Sequence, residues 1–410
     1  MRQMIFLKWT AIVILAGLLG VLFVQYLSVH PLKMSTYLLA TCVVLFALVV
    51  TLIVGFQKTS LLAAILLSLG VFIVGHLSMT KIILARDDPR HLAELTRDPN
   101  DPGMGHTAVI YFTHGEPETY NPIGWINQFN EFDEQGIGFI PLIARPFFFI
   151  ALRNKYLEVG KSDHRGMHLQ MIASLKEAYR AEGDRRTKFY LSFLDDEPRP
   201  DAAAIQALNE GASKIIVSEI FLTISNHTAE GEDLIKDLHI EETFGIPVEF
   251  TGPLYDSETL MSMFVKRANA NIGDTDKSKV GILLVGHGQP DEWDLEWPTE
   301  TEQELGFRYD VLDLLEADGY RPENLSLAWM EFKEPKPAEK VEKFLQNGIE
   351  KLLFFPAAIS ADAIHSQYDI PELIHKAALP EDFPVINLGA WNNDPIVIRA
   401  IKEKIDPFME

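Results

Sequence analysis

The sequence has a single cysteine, Cys42, among 410 residues. That excludes an internal disulfide, a cysteine-ligated zinc site and an iron–sulfur cluster, so any metal chemistry falls to imidazole, carboxylate or backbone oxygen. Basic residues are scarce as well: 36 Lys and Arg stand against 58 Asp and Glu, a net charge of −22. The deficit is unevenly placed. Residues 1–90 hold seven basic and two acidic residues, which leaves 29 basic against 56 acidic, a net −27, for residues 91–410. A body this acidic offers no surface for nucleic acid, whose phosphates need the opposite sign. The sequence also lacks a glycine-rich phosphate loop, a nucleophile elbow and a dinucleotide fingerprint.

What residues 1–90 do have is three uncharged apolar stretches, Trp9–Leu27, Tyr37–Phe56 and Ser60–Met79. Each matches the roughly 20 residues a helix needs to cross a bilayer. No small-x-small pattern follows the first stretch, so it reads as a span and not as a cleaved leader. Three spans place the N-terminus and the large domain on opposite sides. Lys33, Lys81, Arg86, Arg90 and Arg97 fall on the domain's side, and Arg2, Lys8 and Lys58 on the other. The positive-inside rule then predicts a multi-pass membrane protein with its large domain on the cytoplasmic face. His76, inside the third span, reads as a helix-packing or interfacial residue. Residues 91–105, rich in Pro, Gly and charge, read as a linker.

From residue 106 onward, short β-branched or aromatic runs alternate with helical periodicity. Strands are predicted at Ala108–Phe112, Lys188–Leu194, Lys214–Phe221, Val248–Leu254, Val280–Val285, Leu325–Trp329, Lys351–Phe355 and Pro384–Leu388. Amphipathic helices are predicted at Met167–Ala181, Asp201–Asn209, Thr301–Asp318 and Pro337–Gln346. Strands with few polar interruptions, separated by helices, imply parallel sheets covered on both faces.

The eight strands form two sets of four that echo each other. A-V-I-Y-F-T-H-G-E-P, ending at Pro117, parallels G-I-L-L-V-G-H-G-Q-P, ending at Pro290. Likewise G-A-S-K-I-I-V-S-E-I-F-L-T-I-S-N-H, from Gly211 to His227, parallels G-I-E-K-L-L-F-F-P-A-A-I-S-A-D-A-I-H, from Gly348 to His365. Two matching features in one order indicate a duplication, with lobes at 106–278 and 279–410. The first lobe is longer, its two histidines lying 113 residues apart against 78 in the second. The surplus includes Gly136–Leu152, with F-I-P-L-I-A-R-P-F-F-F-I-A-L interrupted by Arg145. Two readings stay open for this segment: a buried helix or strand, or an apolar lip that borders a flat ligand or dips into the membrane.

His114, His227, His287 and His365 all fall at or just past predicted strand ends, where ligands bind open parallel sheets. Imidazole suits divalent cobalt, nickel, iron and zinc, and two histidines leave coordination positions for a metal that is handed on. A neutral imidazole also accepts a proton near pH 7. His164 and His168, four apart in H-R-G-M-H, are separated by Gly166 and read as surface or loop residues. The acidic run Asp291–Trp297 reads as solvated loop acids or as an attractive path for a cation.

These motifs resemble the single-subunit tetrapyrrole metal chelatases, the superfamily of ferrochelatase and the sirohydrochlorin cobaltochelatases, over residues 106–410. T-H-G-E-P-E-T resembles the turn that opens bacterial ferrochelatases. V-G-H-G-Q-P resembles their S-A-H-S-L-P motif, whose catalytic histidine lands on His287. Ala361 to Asp369, A-D-A-I-H-S-Q-Y-D, resembles the ferrochelatase A-D-H-L-E-V-L-Y-D with His365 at the glutamate position, and H-S-Q-Y-D-I-P also resembles the cobaltochelatase H-x-R-E-D-I-P. Asp369 matches a carboxylate that continues the ferrochelatase acidic line. The Trp-Leu-Gly-Pro signature of ferrochelatases is replaced by L-A-W-M-E-F-K-E-P-K-P, and the cobaltochelatase Arg by Gln367. The resemblance implies a chelatase-like α/β fold of two similar doubly wound lobes with four-stranded parallel sheets, preceded here by three transmembrane helices. It further implies a chelatase that inserts cobalt, nickel or ferrous iron into a tetrapyrrole such as sirohydrochlorin, with no organic cofactor and with metal and tetrapyrrole as substrates. His287, His365 and Asp369 would be its catalytic residues, His287 and His365 its metal ligands, and His114 and His227 a second metal pair. Two alternatives stand beside this: a ferrochelatase that makes protohaem from protoporphyrin, and a non-catalytic membrane protein that binds metal or tetrapyrrole.

Overall fold

The structure is a computed structural model that describes residues 2–29, 32–56, 58–86, 93–134, 136, 138 and 140–409. The chain divides into two compact units, Met1–Pro89 with Thr119–Gly160, and Arg90–Glu118 with Lys161–Glu410. The lobe expected at 106–278 is thus interrupted, because residues 119–160 group with the N-terminal helices. His91 and Leu92 of the expected linker lie outside the described residues. The rest of it is docked on the second unit: the Thr96 amide donates to Asn209 Oδ1 at 2.8 Å and Arg97 Nη1 to the Ala212 carbonyl at 2.5 Å.

In the first unit, α1 (Arg2–Ser28) and α3 (Lys58–Leu84) contain the first and third predicted spans, α2 (Leu32–Val54) covers the second up to Val54, and each is long and apolar enough to cross a membrane. Glycine sets the packing of α1 on α3. A Cβ on Gly20 would lie 2.2 Å from the Phe72 carbonyl oxygen, and one on Gly75 would lie 2.4 Å from that of Gly17. Small residues let helix backbones approach where dispersion, and not water exclusion, drives association. The α1–α2 hairpin closes with Lys8 Nζ donating to the Gly55 carbonyl at 3.2 Å and the Trp9 and Phe56 rings 4.8 Å apart. Two further helices, α4 (Ile123–Glu134) and α5 (Arg145–Val159), complete this unit and pack on α3 and α1 respectively. Arg145 does not disrupt its segment. It is the first residue of α5, its guanidinium is paired with Asp133, and it lies 5.2 Å from the Phe129 ring centroid.

The second unit carries both repeats. The first runs β1 (His106–Thr113), α6 (His164–Ala181), β2 (Lys188–Phe193), α7 (Pro200–Asn209), β3 (Ala212–Glu219), α8 (Asn226–Lys236), α9 (Ile240–Phe244), β4 (Val248–Phe250) and α10 (Glu258–Asn271). The second runs β5 (Val280–Gly286), α11 (Asp291–Glu296), α12 (Pro298–Ala317), β6 (Leu325–Trp329), α13 (Pro337–Gln346), β7 (Lys351–Pro356), α14 (Ile370–His375), β8 (Val385–Asn387) and α15 (Pro395–Ile405). All eight predicted strands are present. Every pairing is parallel, and the orders β2-β1-β3-β4 and β6-β5-β7-β8 are the same order offset by four. All seven residues of β5 are buried, as a central strand covered on both faces requires.

One face of each sheet lines a shared apolar core that contains Val109, Leu175, Phe264, Phe307, Phe355 and Ile401. Within it the Phe264 ring of α10 lies 5.6 Å from Phe307 of α12 and 4.9 Å from Phe355 of β7. The helix α15 packs on α6 and β3. The outer faces form two separate cores, one with Ile110 and Ala204, the other with Leu283 and Phe344. In both sheets the chain steps first to one side of the central strand and then to the other. The switch points therefore lie between β1 and β3 and between β5 and β7, at whose carboxyl ends open α/β sheets bind ligands.

Candidate metal and tetrapyrrole site

His114 follows β1 and His287 follows β5, and the two residues are built alike. Each is followed by a glycine in the left-handed region, Gly115 at φ +91° and Gly288 at φ +83°. A Cβ on Gly115 would lie 2.8 Å from Phe193 Cβ, and one on Gly288 would lie 2.6 Å from the Glu331 carbonyl oxygen. The turn lets each imidazole fold back on its own backbone: His114 Nδ1 is 2.9 Å from the Gly115 carbonyl oxygen, and His287 Nδ1 is 2.6 Å from that of Gly288. A carbonyl only accepts, so Nδ1 carries the proton in both rings. In the neutral ring Nε2 then holds the lone pair, the form that ligates a metal or takes a proton.

His227 and His365 come from the second strand of each switch point. His227 is in the first turn of α8, next to a reciprocal box in which the Ser225 amide donates to Thr228 Oγ1 at 2.9 Å. His365 opens a widened turn of π-helix, His365–Asp369, that leads into α14. Such turns recur at functional sites. Here the turn brings His365 Nδ1 to 2.7 Å from Asp369 Oδ2, which fixes the tautomer by the carboxylate–imidazole pairing common to metal-binding histidines. The preceding loop is held by Asp362, which accepts from Ser366 Oγ at 3.0 Å, from the Ala390 amide at 2.9 Å and from Asn392 Nδ2 at 2.8 Å.

The predicted pairs are real neighbours. The His114 and His227 ring centroids are 4.8 Å apart and those of His287 and His365 are 5.3 Å apart, both edge to face. The pairs also feel one another. Burial holds the His227 ring well below the usual imidazole pKa, and positive charge on His114 or His287 would depress it further. Burial likewise lowers His287, reinforced by His365 and opposed by Glu331. Among the described residues, no group of three or more His, Cys, Asp and Glu side chains is arranged to hold a metal ion.

Several residues of the site escaped the sequence reading. Asp195 and Glu331 are equivalent: each follows the strand beside a central one and donates its amide to the carbonyl of His114 or His287, at 2.7 and 3.0 Å. Asp195 Oδ2 is 3.4 Å from His114 Nε2. The signal available was the shared E-P-x-P after each strand, Glu197–Pro200 and Glu334–Pro337, preceded by L-D-D in the first repeat and by M-E-F-K, one residue longer, in the second. Glu116, where the second repeat has Gln289, accepts the Ile364 amide at 3.0 Å on Oε1, and burial raises its carboxyl pKa despite a hydrogen bond from Ser162. Beneath His287, the buried Glu304 and Arg308 form an ion pair at 3.4 Å. A Cβ on Gly286 would run into the Glu304 carboxylate and the Arg308 guanidinium, so a side chain there would have to displace this ion pair.

Two readings need correction. His164 and His168 are not surface residues: both are buried on one face of α6, and His168 Nδ1 is 2.9 Å from the Tyr111 hydroxyl. Gly166 is accommodated because it faces open space. The acidic run 291–297 is a short helix and not a loop. Asp291 is exposed, whereas Asp294 is tied to Gln289 Nε2 at 2.7 Å, to Thr301 Oγ1 at 2.7 Å and to Lys333.

No protein-family model matches the chain. In sequence it is similar to a sirohydrochlorin cobaltochelatase of Methanothermobacter thermautotrophicus, 28% identical over 101 residues, which are 24% of this chain. The chain spans 59% of that relative's length. Among solved structures, SirB from Bacillus subtilis with Fe3+ matches 73% of this chain and 94% of its own at 14% identity and a TM-score of 0.47. The sirohydrochlorin chelatase SirB from Bacillus subtilis subspecies spizizenii in complex with cobalt matches the same shares at 11% identity and a TM-score of 0.43. By its histidine motifs and by this sequence relative, the chain resembles the single-subunit tetrapyrrole metal chelatases.

Proposed function

We propose that the protein is a membrane-anchored chelatase that inserts a divalent metal ion, cobalt, nickel or ferrous iron, into a tetrapyrrole of the sirohydrochlorin type. The observation that carries the reading is the pair His287 and His365. Their rings are in edge contact at 5.3 Å, and each has Nδ1 committed, to the Gly288 carbonyl and to Asp369. Metal entry replaces two pyrrole N–H protons by one divalent ion, so two protons must leave. Two imidazoles serve both needs in turn: their Nε2 lone pairs ligate the incoming ion with positions to spare for water and pyrrole nitrogen, and, once the ion has passed to the macrocycle, the same lone pairs are free to accept the two displaced protons. Asp369 stabilises positive charge on His365. His114 and His227 form a second pair in the corresponding place, with His114 turned back on Gly115 as His287 is on Gly288, which supports a second metal position. The three apolar helices anchor the chain, and the distribution of Lys and Arg supports a cytoplasmic catalytic unit.

The test uses the full-length protein in detergent, because residues 119–160 pack on the N-terminal helices and a fragment from residue 91 would leave them without that support. Absorbance is followed anaerobically with sirohydrochlorin, and separately with protoporphyrin, each with cobalt, nickel or ferrous iron. The reading predicts insertion above the metal-only control with sirohydrochlorin. His287→Ala abolishes it while the fold is retained, and Asp369→Asn lowers metal affinity or rate roughly 10–100-fold. Insertion into protoporphyrin alone would identify a ferrochelatase. Spectral binding without insertion in every combination would identify a carrier.

A further inference from the structure

The segment 119–160 contributes nothing to the chemistry above, yet it is built onto the ends of the apolar helices. The last four carbonyls of a helix lack intrahelical partners, and beside a bilayer such groups must be satisfied by the protein. Here α4, α5 and the loop before them supply the donors. The Tyr120 hydroxyl donates to the Ser28 carbonyl at 3.0 Å, Arg153 Nη1 to those of Tyr26 and Val29 at 2.7 and 3.1 Å, and Asn130 Nδ2 to that of Leu84 at 3.2 Å. The ends of α1 and α3 are thus capped by one inserted element. At the level of Lys81, near the end of α3, Asn130, Asp133 and Arg145 join it, with the apolar Leu84, Ala85 and Leu142, around an open recess of about 380 Å³.

The turn that begins α5 reaches deeper than this level. His76 Nε2 is 3.0 Å from the Ile143 carbonyl oxygen, and the Phe147 ring lies 6.4 Å from His76 and 6.1 Å from Phe23. His76 precedes Lys81 by five residues, and Phe23 precedes Ser28 by five. At 1.5 Å per residue both helices place the contact about 7.5 Å below their polar ends, within the roughly 5–10 Å to which in-plane amphipathic elements sink into the headgroup and acyl boundary. Ile143 and Phe147 are 44% and 48% exposed at that depth. The non-helical carbonyl there is matched by a histidine, as irregular backbone at membrane depth requires.

We propose that the turn that begins α5 is seated in the lipid with Ile143 and Phe147 against acyl chains, while Arg145 stays buried against Asp133, so that the protein holds the membrane by an in-plane element as well as by its spans. The occupant of this face is the bilayer because the turn rests on Phe23 and His76, which lie inside the membrane-crossing stretches of α1 and α3. The inference rests on the reading of those helices as membrane spans.

The experiment uses full-length Cys42→Ser protein in phosphatidylcholine–phosphatidylglycerol vesicles, with one cysteine at a time carrying an environment-sensitive fluorophore. Phe147→Cys and Ile143→Cys test the proposal, Leu66→Cys on the exposed face of α3 reports the span, and Phe332→Cys in the second unit reports water. The expected result is blue-shifted emission at 143 and 147, quenched several-fold more by a lipid spin-labelled high on the acyl chain than the Phe332→Cys signal, and shielded from aqueous iodide. Lipid quenching at Leu66→Cys with iodide quenching at 143 and 147 would overturn the proposal and leave the spans standing. Iodide quenching at all three positions would overturn both.

Discussion

Glu116 Oε1 accepts the backbone N–H of Ile364 at 3.0 Å, so a carboxylate from the first repeat's strand-end loop holds the residue immediately before His365 in the second. The two halves of the site are therefore coupled through one buried side chain, and the coupling is directional: the first repeat positions the histidine of the second.

Glu116→Ala removes the acceptor of that amide and leaves it buried. The expected cost is about 1–3 kcal/mol of stability, together with weaker cobalt binding by the His287–His365 pair. Glu116→Gln keeps an acceptor and is expected to retain most of both. Thermal unfolding and calorimetric titration with cobalt on the full-length protein check this. Equal behaviour of Ala and Gln would mean that the hydrogen bond does not position His365.

Gly288 and Gly306 make a matched pair for the strand-end turn. At Gly288, φ is +83° and a Cβ meets backbone, so Gly288→Ala is expected to destabilise by more than about 1 kcal/mol and to displace the His287 ring. At Gly306, within α12, a Cβ meets nothing within 4 Å, and alanine is expected to stabilise by about 0.5–1 kcal/mol. Opposite shifts in the thermal midpoint are the predicted outcome. Similar shifts would count against the turn.

Burial lowers His168 from the ordinary imidazole value to about 3. The unfolded chain protonates this ring near pH 6.5 while the folded chain does not, so between pH 6.5 and 3 the unfolded state binds more protons and stability is lost as pH falls. At pH 5 the loss from this residue is about 2 kcal/mol. His168→Gln is expected to be less stable than the parent at pH 7, where the bond to Tyr111 is weakened, and the gap should narrow by about that amount at pH 5. A gap that does not change with pH would show that the ring is charged in the fold.

Regular elements were legible where one physical signal dominated. The eight strands announce themselves because parallel strands buried on both faces tolerate few polar residues, and Pro337–Gln346 is bounded as predicted by proline at its start and amphipathic spacing within. The strand-end histidines were legible because duplication repeats them. What misled was reading single residues without their partners. Gly166 argued against a helix through His164 and His168, but a glycine facing open space costs a helix little beside the burial of six side chains on its other face. Arg145 argued for an interruption because sequence does not show Asp133 beside it. Glu116 passed unnoticed because its partner is a backbone amide 248 residues away.

The packing of α10 and α15 bears on the history of the chain. Each closes its own repeat, after β4 and β8, yet α10 lies against Phe307 and Phe355 of the second repeat, and α15 lies against α6 and β3 of the first. A lone ancestral repeat would have had no second layer on which to rest this arm except another copy of itself. The protein thus has the form of an arm-swapped dimer made into one polypeptide. Once fused, either half could diverge freely at its histidines but not at the arm it lends to the other.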